Sequence, residues 1–141
     1  MKNEPIVIER TLHAPLDKVW KAITDNNDMQ EWYFKFPDFK PKVGFEFQME
    51  GGPDDRVYLH LCKVTEVVDG KKISYSWRYD GYEGDSNVSF ELFPEGNNTR
   101  VRLTHAGLET FPASNPDFAK QNFVEGWTDI IGRSLKEFVE K

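Results

Sequence analysis

The stretch NPDFAKQNFVEGWTDIIGRSLKEFVEK, residues 115–141, decides the architecture. Asn115 is a capping residue, Pro116 suits the first helical position, and Asp117 places an acid in the first turn. Phe123, Trp127, Ile130, Ile131, Ser134 and Phe138 recur at three- and four-residue steps. Glu125, Asp129, Arg133, Lys136, Glu137 and Glu140 mostly occupy the other face. The spacing predicts one amphipathic helix of about 24 residues, roughly 36 Å long, enough to cross a small domain.

Upstream the period is two. Val43, Phe45, Phe47 and Met49 alternate with Gly44, Glu46, Gln48 and Glu50, as in a strand with one dry face. Residues 51–55 read as a turn, 57–68 as a long strand, and Asp69-Gly70 as a hairpin signal. Ile73, Tyr75, Trp77 and Tyr79 share one face of a strand over 72–79, and a loop with two glycines follows. Val88, Phe90 and Leu92 alternate on the next strand, and Pro94–Asn98 turns the chain. Val101, Leu103 and His105 share a face of the last strand. At the other end, residues 5–13 read as a strand, and Pro15 opens a short helix with Leu16, Val19, Trp20 and Ile23 inward. A second helical turn is expected over Asp28–Trp32, with Asp28 as its cap.

A sheet with one dry face needs a cover, and only the terminal helix is large enough. Twist curls the sheet around it. The expectation is a single α+β domain over 1–141, with about six curved antiparallel strands wrapped around a long C-terminal helix. Two short helices follow the first strand.

A chain of 141 residues with 14% aromatic content, including 11 Phe, 5 Tyr and 4 Trp, has the material for a core or a ring-lined pocket. The net charge of −6 argues against nucleic acid and against anionic membranes as partners. One cysteine, Cys62, rules out an internal disulfide framework and fits a reducing compartment. With neither a signal-peptide pattern at the start nor a run of ~20 apolar residues, the expected location is the cytoplasm.

The order of elements and several short runs resemble the START-like (SRPBCC, helix-grip, Bet v 1-like) superfamily. Within it the chain is similar to the family named after the activator of the ninety-kilodalton heat-shock chaperone's ATPase. The runs are Ile8-Glu9-Arg10-Thr11-Leu12-His13-Ala14-Pro15, Val19-Trp20-Lys21-Ala22-Ile23-Thr24-Asp25 and Gln30-Glu31-Trp32. Val43-Gly44-Phe45-Glu46-Phe47, Ile73-Ser74-Tyr75-Ser76-Trp77, residues 99–108 and Gly126-Trp127 complete the series. Two departures stand out: one glycine at Val43-Gly44-Phe45 where the family often has two, and Tyr33 where a second tryptophan often follows Trp32. The resemblance implies a cavity between sheet and helix that holds a small hydrophobic molecule. It also implies two alternatives. One is a chaperone-stimulating role, which in the family goes with an additional N-terminal domain, whereas this sequence starts directly at its first strand. The other is a cyclase- or dehydratase-type enzyme acting on polyketide-like substrates.

The candidate cavity residues are Arg10, Trp32, Phe45, Phe47, Tyr75, Trp77, Phe90, His105, Phe123, Gly126 and Trp127. The rings either line a pocket or fill the core. Gly126 costs about 1 kcal/mol in a helix relative to alanine, so close approach by another group is expected there. His105 lies inward by alternation, either to meet a ligand's polar end or as a hydrogen-bonded core histidine. Arg10 shares the alternation of Ile6, Ile8 and Leu12 and reads as a buried guanidinium that needs a carboxylate or several carbonyls, either to bind an acidic ligand group or in a structural pair with a glutamate. Two aromatic segments, Tyr33–Phe39 and Phe111-Pro112-Ala113, read as lids or as a patch for a second copy or another partner. No catalytic set, cofactor fingerprint or metal-ligand spacing is present. His13, His60 and Cys62 are scattered, and His60 reads as an ordinary strand-face residue.

Overall fold

The computed structural model describes residues 4–33, 38–51 and 57–141. Its elements are β1 (Ile6–Leu12), α1 (Leu16–Thr24), α2 (Asn26–Trp32), β2 (Glu46–Gly51), β3 (Tyr58–Val68), β4 (Lys72–Tyr79), β5 (Ser86–Glu95) and β6 (Asn98–Ala106). Two 3-10 turns follow, Leu108–Thr110 and Pro116–Phe118. The terminal helix then runs as α3 (Lys120–Asp129), a π-helical stretch (Ile130–Leu135) and α4 (Lys136–Val139).

The six strands form one antiparallel sheet in the order β1-β6-β5-β4-β3-β2. Strand register turns the sequence alternation into a continuous inner surface. Val64, Tyr75, Val88, His105 and Ile6 stand side by side across five strands, and all five are buried. A one-residue slip would turn this whole row to water, so the pattern fixes the register. The terminal helix covers the surface, as the dry face requires.

That helix buries Trp127, Ile131, Leu135 and Val139, a strict spacing of four. In an ideal α-helix each four-residue step drifts by about 40°. The π-helical stretch takes up an extra residue per turn and returns the stripe to the sheet. The expected inward residues Ser134 and Phe138 are therefore displaced by Leu135 and Val139, and both are only half-buried. The helix end is fixed to the β1–α1 corner, where the His13 amide donates to the Glu140 carboxylate at 2.8 Å.

Four boundaries differ from the sequence reading. Asp25, not Asp28, caps α2, accepting from the Asp28 amide at 3.0 Å. β2 starts at Glu46 because Gly44 sits at φ 93 and breaks the alternation, leaving Val43 60% exposed. The β5–β6 hairpin turns on Gly96 and Asn97 alone, so Pro94 and Asn98 belong to strands. Asn115 caps the 3-10 turn Pro116–Phe118, and the extended Ala119 separates that turn from α3. Of the expected 51–55 turn, residues 52–55 lie outside the described residues, as do 34–37 of the first aromatic segment. The second aromatic segment is no exposed lid. Phe111 is buried, with its ring 5.2 Å from Tyr79 and 5.5 Å from Phe118. No described helix is long and apolar enough to cross a membrane.

Phe111 is held in place by Gly84. At φ +109, a Cβ on Gly84 would lie 2.6 Å from both the Thr110 carbonyl oxygen and the Phe111 ring. Gly84→Ala is expected to destabilise the protein by about 2–4 kcal/mol, from the positive φ and the clash together. Urea unfolding should show a lower midpoint at unchanged slope. An unshifted midpoint would mean that the loop yields without strain.

Candidate functional site

A cavity of about 340 Å³ opens between β3, β4, the Pro116–Phe118 turn and α3. Its walls are mostly rings: Tyr58, Trp77, Tyr79, Phe118, Phe123 and Trp127, with Ile130. The alternation of β3 and β4 brings three of these, Tyr58, Trp77 and Tyr79, together with His60. His60 stands edge-on to Trp77 at 5.0 Å and to Tyr79 at 4.8 Å. Tyr79 stacks on Phe118 at 4.8 Å, and Trp77 meets Trp127 at 5.4 Å. On the helix side, Gly126 removes a side chain from the wall, and a Cβ there would meet nothing within 4 Å.

The polar groups gather at the start of the helix. The Tyr58 hydroxyl donates to the Asp117 carboxylate at 2.5 Å and accepts from the Asn115 amide at 3.2 Å. The bond to Asp117 makes the Tyr58 phenol harder to ionise than usual. Asn122 lines the same end and donates to the Pro116 carbonyl at 2.9 Å. His60 holds its Nδ1 3.1 Å from the Met49 carbonyl and 3.0 Å from that of Tyr58. Carbonyls only accept, so Nδ1 carries the proton and the lone pair of the neutral ring is on Nε2. Burial pushes the His60 pKa below its ordinary value, against the pull of the two carbonyls.

Behind the wall runs a hydrogen-bond chain whose directions are fixed by chemistry. The Trp127 indole can only donate, and it meets His105 Nδ1 at 2.9 Å. His105 Nε2 therefore carries the ring proton and gives it to Ser86 Oγ at 2.8 Å, which in turn donates to the Trp77 carbonyl at 2.7 Å. His105 is 0% exposed, and burial pushes its pKa down to about 3. The chain orients two cavity rings, Trp127 directly and Trp77 through its backbone.

The gap between sheet and helix is unevenly filled. Toward α2, Tyr33 stacks on Trp32 at 4.9 Å, lies 6.3 Å from Trp127, and shares a 2.7 Å hydroxyl–hydroxyl bond with Tyr75. Burial raises the pKa of both phenols well above the ordinary value. These described rings pack that half, and the cavity opens in the half toward β3.

Of the residues singled out from sequence, Trp77, Phe123, Gly126 and Trp127 line the cavity. Phe47, Tyr75 and Phe90 pack in the core beside it, with Phe47 5.1 Å and Phe90 6.2 Å from Tyr75. Phe45 is half-buried against Phe39 and Phe47. Trp32 is held under α1, its indole donating to the Ala22 carbonyl at 2.7 Å. His105 sits one layer behind the wall. Arg10 departs furthest: it is exposed, donates to the Glu9 carbonyl at 2.7 Å, and lines an outer groove with Asp129, Gly132 and Arg133. The expected burial fails because the helix meets β1 at Gly132, where a Cβ would lie 3.5 Å from the Arg10 guanidinium, so the side chain passes over the helix.

Sequence reasoning missed Tyr58, His60, Asp117, Phe118 and Asn122 as wall residues. The signal in β3 was present. Tyr58, His60, Cys62 and Val64 are the buried set, but Leu59 and Leu61 carry enough apolar character to make the other face look dry. Among the described residues, no three His, Cys, Asp or Glu side chains cluster as a metal site.

Residues 13–140 match the family described as activator of Hsp90 ATPase homolog 1-like protein. No curated protein matches the chain. Among solved structures, a Mesorhizobium loti protein, MLL2253, superposes with a TM-score of 0.78 at 27% identity, covering 97% of each chain. CalU16 from Micromonospora echinospora superposes at 0.73 and 25% identity, over 96% of this chain and 73% of its own. DynU16, from the dynemicin biosynthetic locus, reaches 0.78 at 20% identity over 98% of this chain and 48% of its own, a likeness of fold.

Proposed function

The chain belongs to the activator of Hsp90 ATPase homolog 1-like family, and from that premise we propose that it is a binding module for a small, largely apolar aromatic molecule held between sheet and helix. The observation that carries this reading is the cavity itself, about 340 Å³ and walled by rings. Its volume lies at the low end of small-molecule pockets and equals about eleven waters at ~30 Å³ each. That suits a compact ring system. Burying ~200 Å² of apolar ligand surface yields about 5 kcal/mol at ~25 cal/mol per Å², before the costs of association.

Binding is favoured over catalysis by the fate of the acid–base candidates named from sequence, His105, Tyr75 and Tyr79. Both His105 nitrogens are engaged, the Tyr75 hydroxyl faces Tyr33, and the Tyr79 hydroxyl accepts from the Trp77 indole at 2.9 Å. General acid–base work needs a group able to reach substrate.

Titration with 2-naphthol is expected to quench the tryptophan fluorescence saturably, because Trp77 and Trp127 form the wall, and to raise the melting temperature. No saturable quench and no thermal shift with any planar aromatic probe would remove the reading.

A further inference from the structure

Phe118 separates the cavity from a second hollow. That hollow, of about 560 Å³, lies between the two 3-10 turns, and Leu108, Phe111, Pro112 and Pro116 give it apolar walls. Among the described residues, Phe118 alone lines both spaces. It is 6% exposed, and its ring is held from several sides. It stacks on Tyr79 at 4.8 Å and lies 5.2 Å from Tyr58, 5.2 Å from Tyr82 and 5.5 Å from Phe111. Beside it, Phe123 of the cavity wall stacks on Phe111 of the hollow at 6.3 Å and continues the partition. The backbone is braced as well. The Phe118 amide donates to the Asn115 carbonyl at 3.1 Å, and the Asn115 side chain accepts from the Asp117 amide at 3.0 Å. A close-packed ring moves only by giving up the contacts around it, so Phe118 acts as a fixed wall.

We infer that Phe118 sets how long a ligand the site accepts: the occupant is a compact, naphthalene-sized ring system that stops against the Phe118 ring, and elongated polycyclic molecules gain nothing from their extra length. This rests on the ligand-binding reading above and deepens it. A ring added along the ligand's long axis meets either Phe118, whose displacement breaks its packing, or water at the mouth, where little apolar surface is buried and little affinity is added. Removing the Phe118 ring joins the two spaces, and the added ring is then buried beside Phe111 and Pro112.

The test compares 2-naphthol with 6-phenyl-2-naphthol, the same ring system lengthened by a phenyl group, by tryptophan quenching and calorimetry on the full chain. Each protein is scored by the ratio of the two affinities, which cancels any general weakening of the cavity. In the wild type the longer probe is expected to bind no more than about threefold tighter than naphthol. In Phe118→Ala the ratio should shift toward the longer probe by at least about tenfold. Phe118→Leu keeps more of the buried side chain and serves if the alanine variant is poorly folded; its ratio should shift by at least about threefold. On the wild type itself, bound 2-naphthol should give nuclear Overhauser contacts to the Phe118 ring protons, a measurement that needs neither variant. A longer probe that binds the wild type more than about threefold tighter overturns the inference, because room for the extra ring then exists with Phe118 in place. An unmoved ratio in a folded variant overturns it too, as does a bound probe that makes no contact with Phe118. In each of these cases the cavity reading survives. Failure of both probes to bind the wild type removes that reading itself.

Discussion

Replacing His105 by alanine is expected to lower the unfolding free energy by about 3–5 kcal/mol, the largest single-residue effect on stability. The ring fills a fully buried site, and its loss leaves the Trp127 indole N–H without an acceptor inside the protein. His105→Gln should recover part of the loss, since a side-chain amide offers one acceptor and one donor. The same residue imposes a pH dependence. His105 is neutral in the native state with a pKa near 3, while an unfolded histidine titrates near its ordinary value of 6.5. Between those values the unfolded chain binds one more proton than the native one, so stability is full above pH 6.5 and declines as pH falls. The expected decline is about 1.4 kcal/mol per pH unit from this residue. His60 adds to it in the same direction. Chemical denaturation from neutral to mildly acidic pH should show a slope in the wild type that is shallower by about one proton in His105→Gln. Parallel slopes would contradict the buried neutral imidazole.

Gly126→Leu is expected to separate binding from stability. A helix glycine costs about 1 kcal/mol relative to a good helix former, and a Cβ at 126 would meet no atom within 4 Å. The variant should therefore melt at the same temperature as the wild type or higher. The new side chain stands in the space the ligand needs, so 2-naphthol affinity should fall by at least about tenfold. Gly126→Ala should gain the stability with little loss of binding. A leucine variant that binds as tightly as wild type would show that the ligand does not lie against α3. A destabilised one would show that the space is used by the protein itself.

The fold was legible because its two periods are clean. The row from Val64 to Ile6 is written as alternation in five separate strands, and the helix that covers it carries most of its aromatic stripe at three- and four-residue steps. The inward rings of Trp77, Phe123 and Trp127 were legible on the same grounds, but the close approach expected at Gly126 is open space, with nothing within 4 Å of a Cβ there. Alternation gives a face, however, and not a depth. It put His105 and Tyr75 inward without revealing that one lies behind the wall and the other pairs with Tyr33. Arg10 shares its face with Ile8, yet the approach of Gly132 sends its side chain outside. The polar end was illegible for a further reason. It joins Tyr58 from a strand with Asp117 and Asn122 from around the helix start, and only the 3-10 turn capped by Asn115 brings them together. A local cap motif there does two jobs, and sequence announces only the first.

The π-helical stretch at Ile130–Leu135 bears on how related chains are compared. Any alignment that carries uninterrupted α-periodicity through this element will set Ser134 and Phe138 opposite the core positions of a straight-helix relative, one residue out of frame with Leu135 and Val139. Substitution patterns read in that frame would score apolar anchors as variable surface and surface as anchor. Placing a one-residue gap inside the widened turn restores the correspondence and keeps the cavity-facing half, up to Ile130, in its own register.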